Sequence, residues 1–167
     1  MALTTDRVTE KLKEKFGDDI LDITLNYDFM TYTLNRDRII DVIKFLYEDD
    51  ELKFQFLTTM CGMHFPDAKE QLGMVYQLHN LYENVRIRLK IYFPIEDPVV
   101  PTLTGIFSAA NWMEREAYDF FGITFTGHPN MKRILNIDEM DYFPMRKEYA
   151  VEDATRTDKD DTMFGRE

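Results

Sequence analysis

With 167 residues, 44% of them hydrophobic, the chain is long enough for one domain with a sizeable core. Thirty-one acids against 20 bases leave a formal charge of −11, which argues against a basic nucleic-acid-binding face and against attraction to anionic lipid. No apolar run approaches the roughly 18 residues of a bilayer span, and Met1 to Phe16 carries both charge signs where a signal peptide would be apolar, so the chain reads as soluble and unexported.

Residues 3–16 set Val8, Leu12 and Phe16 at i, i+4 and i+8, the spacing of a short amphipathic helix, and Gly17 stops it. Residues 20–34 alternate apolar and polar, with Leu21, Ile23, Leu25 and Tyr27 followed by Met30, Tyr32 and Leu34. They predict one bent strand or a strand pair turning at Asn26 to Asp28. Ile39, Ile40, Ile43, Leu46 and Tyr47 predict a second helix, with Asn35 as its cap and the acidic run Glu48 to Glu51 as its end. From Lys53 the pattern becomes sheet-like, with strands expected over 53–60, 73–82 and 84–93 and a hairpin at Glu83-Asn84. In the last of these, Arg86, Arg88 and Lys90 face away from the valine and isoleucines. They form either a solvated sheet face or a cationic row that meets acids of a neighbouring strand or of a partner.

The one cysteine, Cys61, lies in the apolar segment 56–63 and reads as a buried, inert thiol; alone it supports neither a disulfide nor an iron–sulfur cluster. His64, His79 and His128 show no metal-ligand spacing, and seven glycines form neither a phosphate loop nor a dinucleotide fingerprint. No nucleophile elbow is present.

Pro94, Pro98 and Pro101 mark a connection that is not a central strand. Wound at about 100° per residue, residues 106–121 gather Ile106, Ala109, Ala110, Met113, Ala117, Phe120 and Phe121 on one side as a core stripe. Glu114 and Glu116 fall at its margins, half-buried and in need of partners, while Arg115 and Asp119 share the opposite face with Trp112. As a solvated i,i+4 pair, Arg115 and Asp119 would contribute about 0.2–0.5 kcal/mol. Gly122 suits a left-handed cap, 123–126 a short strand, and Gly127-His128-Pro129-Asn130 a turn, with Lys132, Arg133, Arg146 and Lys147 clustered after it.

Glu114-Arg115-Glu116, Asp119, two aromatics, His128, Lys132 and Ile134-Leu135 together resemble the signature of the C-type subunit family (30 kDa subunit) of NADH-quinone oxidoreductase, respiratory complex I. Val100-Pro101-Thr102, Ala110-Asn111-Trp112 and Pro144-Met145-Arg146-Lys147 are similar to further segments of that family, so the likeness covers about residues 50–150. Asn130-Met131-Lys132 and Lys147-Glu148-Tyr149 depart conservatively from the common forms.

The resemblance implies a structural subunit of the hydrophilic arm without cofactors of its own, iron–sulfur clusters and FMN being held by other subunits. Its partners would be chiefly the large D-type subunit, which lines the quinone pocket, and also the B- and I-type subunits, at the cytoplasmic side of the bacterial inner membrane. Equivalent subunits of membrane-bound hydrogenases and ferredoxin-dependent plastoquinone complexes look alike, so the electron donor and acceptor stay open. Trp112, Glu114, Arg115, Glu116, Asp119, His128, Pro129, Lys132, Arg133, Arg146 and Lys147 are the residues expected at a partner interface. A reading of another class makes Glu114, Glu116, Asp119 and His128 the acid–base groups of a stand-alone enzyme.

The expected architecture is a single α+β domain over residues 1–149, its sheet mixed or mainly antiparallel with helices on one face. Residues 150–167 form an extended, highly charged tail that cannot order itself, and its Met163-Phe164 pair suits an anchor on a neighbouring subunit.

Overall fold

The computed structural model describes residues 3–149. Thr4 opens the first helix, its hydroxyl accepting the Arg7 N–H at 3.3 Å, and α1 (Thr5–Phe16) runs until Gly17 turns the backbone to a φ of +32°. Strands β1 (Ile20–Asn26) and β2 (Phe29–Leu34) are the expected pair, antiparallel about a turn in which Tyr27 takes a φ of +50°. Asn35 caps a single 3-10 turn, Arg36–Arg38, before α2 (Ile39–Glu48) begins. Three long strands follow, β3 (Phe56–His64), β4 (Leu72–Asn80) and β5 (Val85–Phe93). Next come β6 (Val99–Pro101), α3 (Ala110–Phe121) and β7 (Thr124–Thr126).

The five long strands form a mixed sheet in the order β1-β2-β5-β4-β3, with only β2 and β5 parallel. The hairpin joining β4 to β5 turns where expected: Asn80 Oδ1 accepts the N–H groups of Tyr82 and Glu83, and Asn84 enters the left-handed region at φ +53°. Helices α1, α2 and α3 cover one face. Val8, Leu12 and Phe16 meet Ile39, Val42, Ile43 and Leu46 over Tyr32, Leu34, Met74, Tyr76, Leu78, Ile87, Leu89 and Ile91, which makes an α+β domain with helices to one side. Ion pairs Lys11–Asp49 and Arg7–Glu51 tie α1 to the turn after α2.

Strand β3 and helix α3 depart from expectation in their bounds and in which side chains they bury. Strand β3 starts at Phe56 because Lys53, at φ +42°, and the Phe54 N–H, given to Leu46 O, are used in the turn back from α2. The alternation of β3 then sends Met60 inward and Cys61 outward, so the thiol expected to be buried is exposed. Helix α3 starts at Ala110, four residues later than its apolar spacing implies, because the Ala110 and Asn111 N–H groups bond three residues back, to Phe107 O and Ser108 O, in turns that precede the helical ladder. Ala109 is exposed in consequence, and Leu103 and Phe107 enter the core in its place. No helix among the described residues is long and apolar enough to cross a membrane. The tail 150–167 and its Met163-Phe164 pair lie outside the described residues.

Candidate partner-facing site

Helix α3 crosses edge strand β3 at a point where the strand has no side chain. A Cβ on Gly62 would come within 2.5 Å of Phe121 Cδ2, so this glycine allows the helix its close approach. The parallel pair β6–β7 packs at the other flank of α3, and Gly122, at φ +74°, ends the helix. Beyond β7 the chain has no further helix or strand up to residue 149, yet it is held down along its length. Met145 N–H and Arg146 Nε donate to the carbonyls of Phe120 and Phe121 at 3.1 and 2.8 Å, satisfying the otherwise unpaired end of α3. We refer to residues 132–149 as the strap.

Asp119 is the anchor of the strap. Its Oδ2 accepts the backbone N–H groups of Ile134, Leu135 and Asn136 at 3.1, 2.8 and 2.9 Å. Its Oδ1 accepts Arg133 at 2.8 Å and the Asn136 amide at 3.0 Å, and the side chain is fully buried. Burial alone would raise the acid's pKa; the N–H groups of Asn136 and Leu135, with Arg133, outweigh it and hold the carboxyl well below the ordinary range. Arg133 also donates to the carbonyls of Asp119, Met140 and Tyr142, closing the strap on itself.

A solvated Arg115–Asp119 pair does not form. Arg115 instead donates to the carbonyls of Lys132 and Arg133, both at 3.0 Å, and lies over the Trp112 ring at 5.2 Å. The face of α3 expected to be solvated is covered by the strap, which a helical wheel does not contain. Arg133 and Arg146 both stack on Phe143, at 5.2 and 4.8 Å, and Phe143 meets Tyr118 edge-on.

The two glutamates expected at the margins separate completely. Glu114 is fully buried and accepts Thr102 Oγ1 and Leu103 N–H, each at 2.6 Å, at the turn before α3. Burial raises its pKa, and those two hydrogen bonds offset only part of the rise. Glu116 is exposed beside a crevice of about 30 Å³ that Met60, Cys61 and Phe121 also line. His128 lies between Asn111 O, 3.1 Å from Nε2, and the Asn130 N–H, given to Nδ1 at 3.0 Å; the Nε2–H tautomer satisfies both contacts.

The four groups of the acid–base reading are therefore not gathered in one cavity: one is sealed in a turn, one is saturated by the strap, one is solvated and one bridges two backbone groups. Pro129, Lys132 and Lys147 are exposed. Lys147 lies 5.7 Å from the Phe65 ring, and its backbone N–H donates to Nδ1 of the buried His64 at 2.9 Å, closing the far end of the strap on β3.

Arg133 and Arg146 turn inward, and the outer surface of the strap mixes the exposed charges of Lys132, Asp138, Glu139, Asp141, Lys147 and Glu148 with exposed apolar groups. Leu135 and Ile137 are each 66% exposed, Met145 54% and Trp112 60%, with Tyr142 and Tyr149 also exposed and their rings 5.2 Å apart. The spacing of the sequence points to Asp119 and Arg133, but gives no sign of Asn136, Phe143, Asn111 or His64, whose roles depend on contacts 17 to 83 residues apart. Among the described residues no group of three His, Cys, Asp or Glu is placed to hold a metal ion.

Residues 32–155 match the family model described as respiratory-chain NADH dehydrogenase, 30 Kd subunit. The C-type subunit of NADH-quinone oxidoreductase from Mycolicibacterium gilvum is 38% identical over 152 residues, covering 87% of this chain and 67% of that protein. Its counterpart in Roseiflexus sp. is 38% identical over 148 residues, covering 89% and 85%. Among solved structures, the trypsin-resistant fragment (1-134) of Nqo5 superposes with a TM-score of 0.65 at 32% identity, over 75% of this chain and 97% of the fragment. A chain of the archaeal membrane-bound sulfane sulfur reductase shares the fold, with a TM-score of 0.74 at 20% identity over 87% of this chain and 85% of its own.

Proposed function

The chain belongs to the family of the 30 kDa subunit of respiratory-chain NADH dehydrogenase, and we propose that it serves such a complex as a structural subunit that takes no part in the chemistry. In this reading it sits in the hydrophilic arm, on the cytoplasmic side of a bacterial inner membrane, and packs against the quinone-site D-type subunit with the B- and I-type subunits nearby. Electrons pass through iron–sulfur clusters and FMN held by those and other subunits, and this chain supports the transfer to quinone by holding its neighbours in place.

One observation carries the reading. The buried signature charges Asp119 and Arg133, with Arg115 and Arg146, bond within the chain and hold a strap that exposes Leu135, Ile137, Tyr142, Met145 and Tyr149 among the charged Asp138, Glu139, Asp141 and Glu148, with Trp112 exposed on α3. Several large apolar side chains left exposed along one ordered segment are the mark of a docking site, whereas catalysis needs polar groups that converge on a cavity. Lys132 and Lys147, also exposed, supply polar rim groups, with Pro129 exposed nearby in the sequence.

Native gel electrophoresis of membranes carrying Leu135→Glu or Arg115→Ala tests the proposal. The expected result is a lower level of assembled complex with unchanged turnover per assembled complex. A normal level of complex with lost activity would contradict it.

A further inference from the structure

The face of the sheet opposite the helices is covered by no described element, and its middle is cationic. Strand β5 is the central strand of five, and along its open side it carries Arg86, Arg88 and Lys90. Residues two apart on a strand are about 6.6–7 Å apart, so the row spans about 13–14 Å. The register sets Thr31 and Gln77 on either side of Arg88, and Thr33 and Val75 on either side of Lys90. On β3 the same face continues through Thr59 and Cys61. No acid stands on this face of β2, β3 or β4; the carboxylates around it are Asp22 on β1, Asp28 in the β1–β2 turn near Arg86, Glu83 in the β4–β5 turn, and Glu116 of α3 beside Cys61.

None of the three cations forms an ion pair with a described acid. Arg7, Lys11, Arg36, Arg38, Lys44, Arg133 and Arg146 all do. Arg88 is oriented all the same, with its guanidinium 4.9 Å from the Phe29 ring. In a chain of net charge −11, three adjacent unpaired cations at the centre of an open sheet are an exception to the protein's own field.

We propose that this face docks an acidic protein segment of another subunit, one that presents carboxylates at intervals of about 6–7 Å, as alternate residues of a strand or successive turns of a helix do. The rest of the molecule repels polyanions such as nucleic acid and lipid surfaces, whereas a short acidic segment meets only the row. Five strands about 4.8 Å apart and six to nine residues long give a face of about 600 Å², smaller than the roughly 800 Å² per partner of a self-sufficient interface. The contact therefore works as a second attachment, additional to the strap surface, and it rests on the assembly reading above.

The test is reactivity of Lys90 in the purified intact complex against the isolated chain, with acetic anhydride as footprinting reagent and zero-length carbodiimide coupling read by mass spectrometry. The expected result is at least fivefold slower acetylation of Lys90 in the complex, a Lys90 amide to Asp or Glu of another subunit, and loss of that link as salt rises from 0.05 to 0.5 M. The Arg86→Glu, Arg88→Glu, Lys90→Glu triple variant should keep its thermal midpoint and enter the complex less well. Equal acetylation in both forms would overturn the proposal, as would coupling only to Asp22, Asp28, Glu83, Glu116 or residues 152–167 of this same chain, or protection removed by nuclease or detergent. If this chain is present in the complex but Lys90 stays reactive, the docking face fails and the assembly reading stands. If the chain does not co-purify at all, the assembly reading fails first.

Discussion

Replacing Asp119 by alanine separates the observed structure from a helix with a solvated i,i+4 pair. If Asp119 faced water opposite Arg115, its loss would cost about 0.2–0.5 kcal/mol. In the structure, Arg133, only 8% exposed, would lose its carboxylate, and breaking a buried pair costs about 3–5 kcal/mol. Arg133 keeps the carbonyls of Asp119, Met140 and Tyr142, which moves that figure toward about 3 kcal/mol. Three backbone N–H groups at 134–136 also lose their acceptor, at about 1 kcal/mol each if the strap stays in place. Because the strap lies at the surface, it will open to water once the sum exceeds its own docking energy, so the global loss should settle at about 3–5 kcal/mol, or roughly 6–20 °C in Tm for a chain of this size. Asparagine should be nearly as damaging, since its NH2 must face donors on one side or the other. Trypsin should cut after Lys132 and Arg133 much faster in the variant. The carboxyl's pKa is depressed by folding, so its stabilisation is complete above the ordinary Asp value near 4 and fades as pH falls through the folded value; variant and native curves should converge in acid. A loss below about 1 kcal/mol at pH 7, with unchanged trypsin cleavage, would refute the anchor.

Gly122→Ala should lose about 1–3 kcal/mol from its left-handed backbone and more from Phe143, which a Cβ would approach to 2.5 Å. A thermal-denaturation loss no larger than the backbone part alone would contradict the clash. For Glu114 folding raises the pKa, so as pH climbs past the ordinary carboxyl range the unfolded chain ionises first and stability falls. Glu114→Gln should abolish that decline between pH 5 and 8 in denaturant titrations, while Glu114→Ala should lose about 1–3 kcal/mol by leaving the Leu103 N–H unpaired. Burial lowers the pKa of His64, so stability is kept at neutral pH and lost as pH drops below about 6.5, when the unfolded chain takes up the proton first. Protonation at Nδ1 also breaks the bond from Lys147, so hydrogen exchange at the Lys147 amide, corrected for intrinsic rate, should quicken from pH 7.5 to 5.5 in native protein and be fast at both pH values in His64→Ala.

Local chemistry made most of the frame legible. Helix α1 follows from Val8, Leu12 and Phe16 closed by Gly17, and the β4–β5 hairpin from two alternating runs about Asn84. Long-range contacts were not legible. Nothing in the alternation of 20–34 announces that β2 runs parallel to β5, because one strand's pattern carries no partner's direction. The burial of Asp119 has the same origin. Its spacing marks the polar side of a helix, and only the return of residues 132–149 across that side encloses it. Glu114 reads as a margin residue until the Thr102-Leu103 turn closes over it.

The strap explains why so many charged groups are internal in a chain whose proposed work is to be held by others. A segment without helix or strand over residues 127–149 is long for a compact domain, and fixing each backbone residue costs about 1–2 kcal/mol. Bonds from Asp119, Arg115, Arg133, Arg146 and His64 offset that ordering before any partner arrives. A surface ordered in advance loses less entropy on docking, so Leu135, Ile137 and Trp112 can contribute their apolar area to affinity instead of to folding a loop. The ionic signature and the apolar surface are then two parts of one device: the charges set the shape, and the exposed side chains make the contact.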